Sequence, residues 1–173
     1  MPISPPSPDD TQPGVPAAPS VWYGTEPFRQ RLGDLVADGD RQEGTRVLFY
    51  GGTREKRQEA LGTLTRYATG NVHQFRVPSL LSEYRMQTQN SLRKAFDHAA
   101  EENALLYFDK VDPLFTHEHA DAPDDPTRTA APTTLEYFFE RVGAYAGIVV
   151  LGLQRRSHVE WAADKVDLVV RFE

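Results

Sequence analysis

Five short strand-like segments, separated by stretches with helical spacing, are what most constrain the fold of this 173-residue chain. Arg46–Tyr50, Leu105–Phe108, Ile148–Leu151 and Leu168–Val170 are apolar runs, and Val72–Val77 alternates as a strand does. Between them, apolar residues recur three and four positions apart, as one face of a helix does. Phe28, Leu32, Leu35 and Val36 form one such face, and Ala60, Leu61, Leu64, Tyr67 and Ala68 a second, closed by a C-capping Gly70. Leu92, Ala95, Phe96 and Ala99 form a third, and Leu135, Phe138, Phe139 and Val142 a fourth. Thr133 with Glu136, and Ser157 with Glu160, have the spacing of capping boxes that open helices. Strands alternating with helices belong to a parallel sheet covered on both faces. The expectation is an α/β, three-layer sandwich with five parallel strands near 46–50, 72–77, 104–109, 147–152 and 167–172.

The length suits one domain with a tail. Residues 1–20 hold seven of the chain's thirteen prolines and almost nothing to bury, so they read as a disordered tail before a core spanning 21–173. His117 to Pro132 is polar and proline-broken and reads as a loop. There is no cysteine, which excludes disulfides, thiolate metal sites and cysteine nucleophiles. A net charge of −6 argues against nucleic acid as a partner. No apolar run approaches the roughly 20 residues needed to cross a bilayer. The N-terminus lacks a basic, apolar, cleavable stretch, so a cytoplasmic location is expected.

Three loops after the apolar runs carry the residues of chemical interest. Val47–Tyr50 leads into Gly51-Gly52-Thr53-Arg54-Glu55-Lys56-Arg57-Gln58, Ala104–Phe108 ends in Asp109-Lys110, and Ile148–Leu151 ends near Gln154. Ser82-Glu83-Tyr84-Arg85-Met86-Gln87-Thr88-Gln89 precedes the helix at Leu92, and Asp112-Pro113-Leu114-Phe115 follows Asp109. In order and spacing these segments resemble the large nucleotide-binding subdomain of AAA+ ATPases, from about residue 25 to the end. They stand where that family has its Walker A loop, Walker B strand, sensor and pore loop. The resemblance implies a P-loop NTPase-like sheet of strand order 5-1-4-3-2, with the strand at Leu48 central. The family continues past Phe172-Glu173 into a small helical lid. The sequence has no lid, as either a fragment or a bare core would.

Each motif departs from the working pattern. A P-loop wraps phosphates in backbone N–H groups, its lysine reaches the β- and γ-phosphates, and its Ser/Thr holds Mg²⁺. With Gly51 as the first glycine, Lys56 replaces the second, Arg57 the lysine and Gln58 the hydroxyl. Gly51, Gly52, Arg54, Lys56, Arg57 and Asp109 are the residues that would meet a nucleotide. The competing reading is a plain turn with its charges in water. Asp109 stands at the metal-organising aspartate, but Lys110 replaces the glutamate that polarises the attacking water. Its loss removes a base commonly worth about 10²–10⁴ in rate. Asp109 is then left to pair with Lys110, Lys56 or a backbone donor.

Gln154 stands at the sensor asparagine and Lys165 at the family's paired arginines. Tyr84 matches the aromatic that grips substrate in the pore, and also reads as a half-buried packing residue. His117-Glu118-His119-Ala120-Asp121 has chelating residue types but no distant fourth ligand, so no metal site is expected. Trp161 reads as a core or interface aromatic.

Two functions follow from the resemblance. The first is a catalytically degenerate AAA+-like core, a structural or regulatory interaction module whose partner is a protein such as an active AAA+ subunit. The alternative is a divergent ATPase that binds ATP and Mg²⁺ and turns over slowly, with Asp109 and Gln154 as its catalytic groups.

Overall fold

The structure, a computed structural model, describes residues 17–37, 44–66, 71–117 and 133–173. Its strands are β1 (Ser20–Trp22), β2 (Thr45–Gly51), β3 (Val72–Arg76), β4 (Leu105–Asp109), β5 (Ile148–Leu153) and β6 (Leu168–Phe172). Its helices are α1 (Glu26–Ala37), α2 (Arg54–Thr65), α3 (Val77–Leu80), α4 (Arg85–Glu101), α5 (Pro113–Thr116), α6 (Thr134–Ala144) and α7 (Arg156–Ala162). All six strands form one sheet in the order β1-β6-β2-β5-β4-β3, and every pairing is parallel.

The sheet has six strands where the strand-like segments predict five. The additional strand, β1, spans three residues with only Val21 facing inward, too short for any alternation to register. It lies beside β6 at the edge, and Pro19 O accepts a hydrogen bond from Val169 N next to it. Residues 18–20 of the expected tail are therefore tied into the fold, and residues 1–16 lie outside the described residues. Without β1, the remaining order is 5-1-4-3-2, with β2 between β6 and β5.

Side chains alternate across the sheet with the two-residue period of a strand. Val47 and Phe49 of β2, Leu105 and Tyr107 of β4, and Val150 of β5 share one core with Phe28 and Leu32 of α1 and Leu61 and Leu64 of α2. Leu48, Leu106, Phe108, Val149 and Leu151 point the other way, into a second core with Phe96 of α4, Phe138 of α6 and Val159 of α7. Helices α1 and α2 thus cover one face, and α4, α6 and α7, with the short α3 and α5, the other. The change of face follows the direction of each right-handed crossover. The chain runs outward from β2 to β3 through α2, then back through β4 and β5 to β6.

Local signals explain where elements start and stop. Val77 opens α3 instead of extending β3, because Pro78 has no N–H for the ladder. Thr133 caps α6 as expected, its hydroxyl accepting from Glu136 N at 3.1 Å. The second capping box does not form. The N-cap of α7 is Arg155, so Ser157 lies inside the first turn. The Asp112 carboxylate caps this helix from a distance, accepting from Gln154 N at 2.8 Å and Arg155 N at 3.0 Å. Helix α2 ends at Thr65 with Arg66 at its C-cap, and Tyr67, Ala68 and Gly70 lie outside the described residues.

Candidate functional site: the crevice at the strand ends

In an open parallel sheet, ligands bind beyond the carboxyl ends of the strands, where the winding reverses. Here that place lies between β2 and β5, since the chain leaves β2 for α2 on one face and β5 for α7 on the other. Gly51 and Gly52, Asp109 and Gln154 all stand at this end, as their sequence positions imply.

The turn after β2 is short. Gly51 (φ 77°) and Gly52 (φ 74°) take left-handed conformations, Thr53 is the N-cap, and α2 is already helical from Arg54. The N–H of Lys56 goes to the Thr53 hydroxyl at 3.2 Å, and that of Arg57 to Thr53 O at 3.1 Å. Positions 54–58, which a P-loop keeps open as a phosphate cradle, are here inside a capped helix. Glycine is required at 52, because a Cβ there would collide with Phe172 Cβ.

Arg57 turns inward and fills the space beneath the turn. Its Nη1 donates to Gly52 O at 2.7 Å and Gly51 O at 3.2 Å, and its Nε faces Asp109 Oδ1 at 3.7 Å. Both residues are buried, with 6% of Arg57 and 7% of Asp109 exposed. Asp109 Oδ1 also accepts from Lys110 N at 3.0 Å. Gly152 of β5 makes room for this carboxylate, since a Cβ there would stand 2.9 Å from Asp109 Oδ1. The Tyr107 hydroxyl lies against the same pair. Burial, reinforced by the Asp109 charge, pushes its pKa up to about 12.

The turn thus directs two carbonyls inward, and the guanidinium donates to both while its Nε, without a hydrogen-bond partner, faces the buried Asp109 carboxylate as an ion pair. These residues do not fit a triphosphate with its Mg²⁺. The cation and the anion that would have to meet the ligand bind each other, and the N–H groups of Lys56 and Arg57 are spent within the helix. Of the partners expected for Asp109, a backbone donor, Lys110 N, is present. Its side-chain partner is Arg57, neither Lys56 nor Lys110.

The remaining predicted residues are spread over the surface. Arg54 and Lys56 are exposed on the first turn of α2, and Gln58 donates to Gln74 of β3 at 2.9 Å. Lys110 is exposed, with a positive φ of 53°. Gln154 is exposed and engaged through its backbone N–H. Lys165 folds back onto its own segment, its Nζ 3.8 Å from the Trp161 ring and 3.0 Å from Asp164 Oδ1. Tyr84 is 47% exposed at the N-cap of α4, beside the 65% exposed Met86, because the preceding Ser82 and the following Thr88 tie the turn to backbone and leave the ring outside. Trp161 packs edge-on against Phe115 and Phe139 while one side faces solvent. In the His117–Asp121 stretch, His117 Nε2 lies 3.0 Å from Ser82 O, and the other members are outside the described residues.

One partly buried unit escaped the sequence reading. The Asp112 carboxylate that caps α7 also lies 2.8 Å from His158 Nδ1, and the imidazole stacks on Phe115 at 4.0 Å. Its only sequence signal is an aspartate before a proline. A second feature is a cleft of about 150 Å³ lined by Trp22, Tyr23, Lys56, Arg171 and Phe172. Ligand sites usually span about 300–1,000 Å³, so it suits a single side chain better than a nucleotide. No described helix is long and apolar enough to cross a membrane. A scan against protein-family models finds no match to this chain, and a search of curated proteins finds none either.

Proposed function

We propose that this chain is a catalytically degenerate core of the AAA+ type that acts as a structural or regulatory interaction module. The observation that carries the reading is the buried Arg57–Asp109 pair closing the crevice at the ends of β2 and β4. Both groups stand at the positions where the resemblance expects phosphate and metal contacts, and they face each other as an ion pair at 3.7 Å while each also binds nearby backbone. The strand order supports the AAA+ comparison, and the short capped turn supports its degeneracy. Tyr84 and Met86, large apolar side chains in water on one turn, supply the kind of surface that a protein partner covers.

The experiment has two arms. Phosphate release from ATP with Mg²⁺ stays at background and is the same for the wild type and Asp109→Ala. Affinity capture from the source cells recovers a partner with the wild type and loses it with Tyr84→Ser/Met86→Ser at unchanged melting temperature. Turnover that Asp109→Ala abolishes overturns the degenerate reading. Capture that is indifferent to Tyr84 and Met86 removes that surface from the interaction reading.

A further inference from the structure

At the opposite end of the sheet from the crevice, His73, His98 and Glu102 converge on one point. Each offers a ligand atom, and these atoms all lie within 4.8 Å of one another. His73 is the second residue of β3, near the amino end of that strand. His98 sits in the last turn of α4 and Glu102 is that helix's C-cap. The separation of four residues puts His98 and Glu102 on one helix face, one turn apart. The cluster thus joins the amino end of β3 to the carboxyl end of α4 and the first residue of the turn after it.

We propose that these three side chains form a surface site for a divalent cation of the Zn²⁺ class, with two imidazoles and one carboxylate as ligands. The donor set decides the class. Imidazole nitrogen with a single carboxylate suits Zn²⁺ and its borderline neighbours, whereas Mg²⁺ and Ca²⁺ take sets of oxygens. Three protein ligands leave a fourth tetrahedral position to water or to a group brought by another molecule.

The neighbouring groups prepare the site. His73 Nε2 and Glu102 Oε2 are 2.7 Å apart, and Asn71 Nδ2 donates to the same oxygen at 3.1 Å. These two hydrogen bonds, that to His73 first, hold the Glu102 carboxyl below the usual carboxylate range. Asn71 aims the carboxylate, as outer partners of metal ligands commonly do. An ion would take the place of the direct His73–Glu102 contact and spread the two atoms to about 3.3 Å, the edge of a tetrahedron with bonds near 2.0–2.1 Å. The His98 side chain is exposed, with its ring centroid 5.2 Å from that of His73 and Glu101 Oε2 3.8 Å from its Nδ1, so a small rotation toward an ion breaks no buried contact.

The test is titration of the untagged full chain with Co²⁺, read by its visible absorption and by competition with Zn²⁺. The proposal expects a single ion per chain in a tetrahedral spectrum. Binding falls at least about tenfold in His98→Ala and in Glu102→Gln, and about tenfold in Asn71→Ala, which leaves all three ligands in place. His98→Ala alters an exposed side chain, so circular dichroism stays that of the wild type. His117→Ala, His119→Ala and His158→Ala leave binding unchanged. Failure to bind Co²⁺ overturns the proposal, as does binding that survives His98→Ala or that is lost in His117→Ala or His119→Ala.

Discussion

Replacing Arg57 with methionine tests whether the crevice is a structural plug. The substitution keeps an unbranched side chain in the buried space and removes the guanidinium. Asp109 is then left 7% exposed without its partner, and the carbonyls of Gly51 and Gly52 lose their shared donor. Breaking a buried pair from one side costs about 3–5 kcal/mol, mostly because a charge is stranded in the interior. The two lost hydrogen bonds are part of that figure and are not added to it. With a urea slope of about 2 kcal/mol/M, the unfolding midpoint should fall by roughly 2 M. A domain with about 5–15 kcal/mol of stability stays folded through this, so the midpoint is measurable. Asp109→Asn in the same chain removes the stranded charge, and the double variant should recover about 1–3 kcal/mol relative to additivity. Arg57→Lys restores the residue that a P-loop uses, yet one ammonium cannot bridge two carbonyls and a carboxylate as a fork does. It should cost about 1–3 kcal/mol and confer no nucleotide binding. A loss below about 0.5 kcal/mol for Arg57→Met, or strict additivity with Asp109→Asn, would refute the reasoning.

Other perturbations follow from the same contacts. Gly52→Ala combines a left-handed backbone with a Cβ driven into Phe172, and urea unfolding should show a loss of about 2–4 kcal/mol. Asp112→Ala removes the distant cap of α7 and the partner of His158, for about 2–3 kcal/mol, with amide exchange accelerated first at Gln154 and Arg155. Tyr107 is held neutral in the fold, with its pKa raised from 10.0 to about 12. Its contribution is therefore complete below pH 10 and lost as pH rises through 12. Between pH 9 and pH 12 the wild type should lose about 2 kcal/mol more than Tyr107→Phe, measured from urea midpoints of the two proteins side by side.

Strands β2, β4, β5 and β6 were legible in the sequence because they are apolar on both faces, and β3 because it alternates. Residues such as Leu48 and Val150 face different helix layers yet are equally buried, which makes a run instead of an alternation. Strand β1 was illegible because its place depends on β6, not on its own three residues. The capping box at Ser157 misled because the competing cap, Asp112, is far away in sequence and reaches α7 only through the fold. At the crevice, the spacing from Gly51 to Gln58 correctly located the strand end, while the state of the turn depended on the first helical residue. Thr53 as N-cap decides that, and it converts a loop of P-loop length into a helix. The pairing of Arg57 with Asp109 joins residues on α2 and β4, and no local pattern announces it. The His73–His98–Glu102 cluster was half visible, since the four-residue interval between His98 and Glu102 lies on a helix face. Its third member arrives from β3 through the tertiary fold.

The most direct test of the closed crevice is calorimetric titration of the wild-type chain with ATP and Mg²⁺. Because Arg57 and Asp109 form a buried ion pair and the helix consumes the N–H groups of Lys56 and Arg57, the account predicts no saturable heat up to millimolar nucleotide. Saturable binding at micromolar ATP, weakened by Asp109→Ala, would contradict it, because the pair would then have to open and receive phosphate and metal.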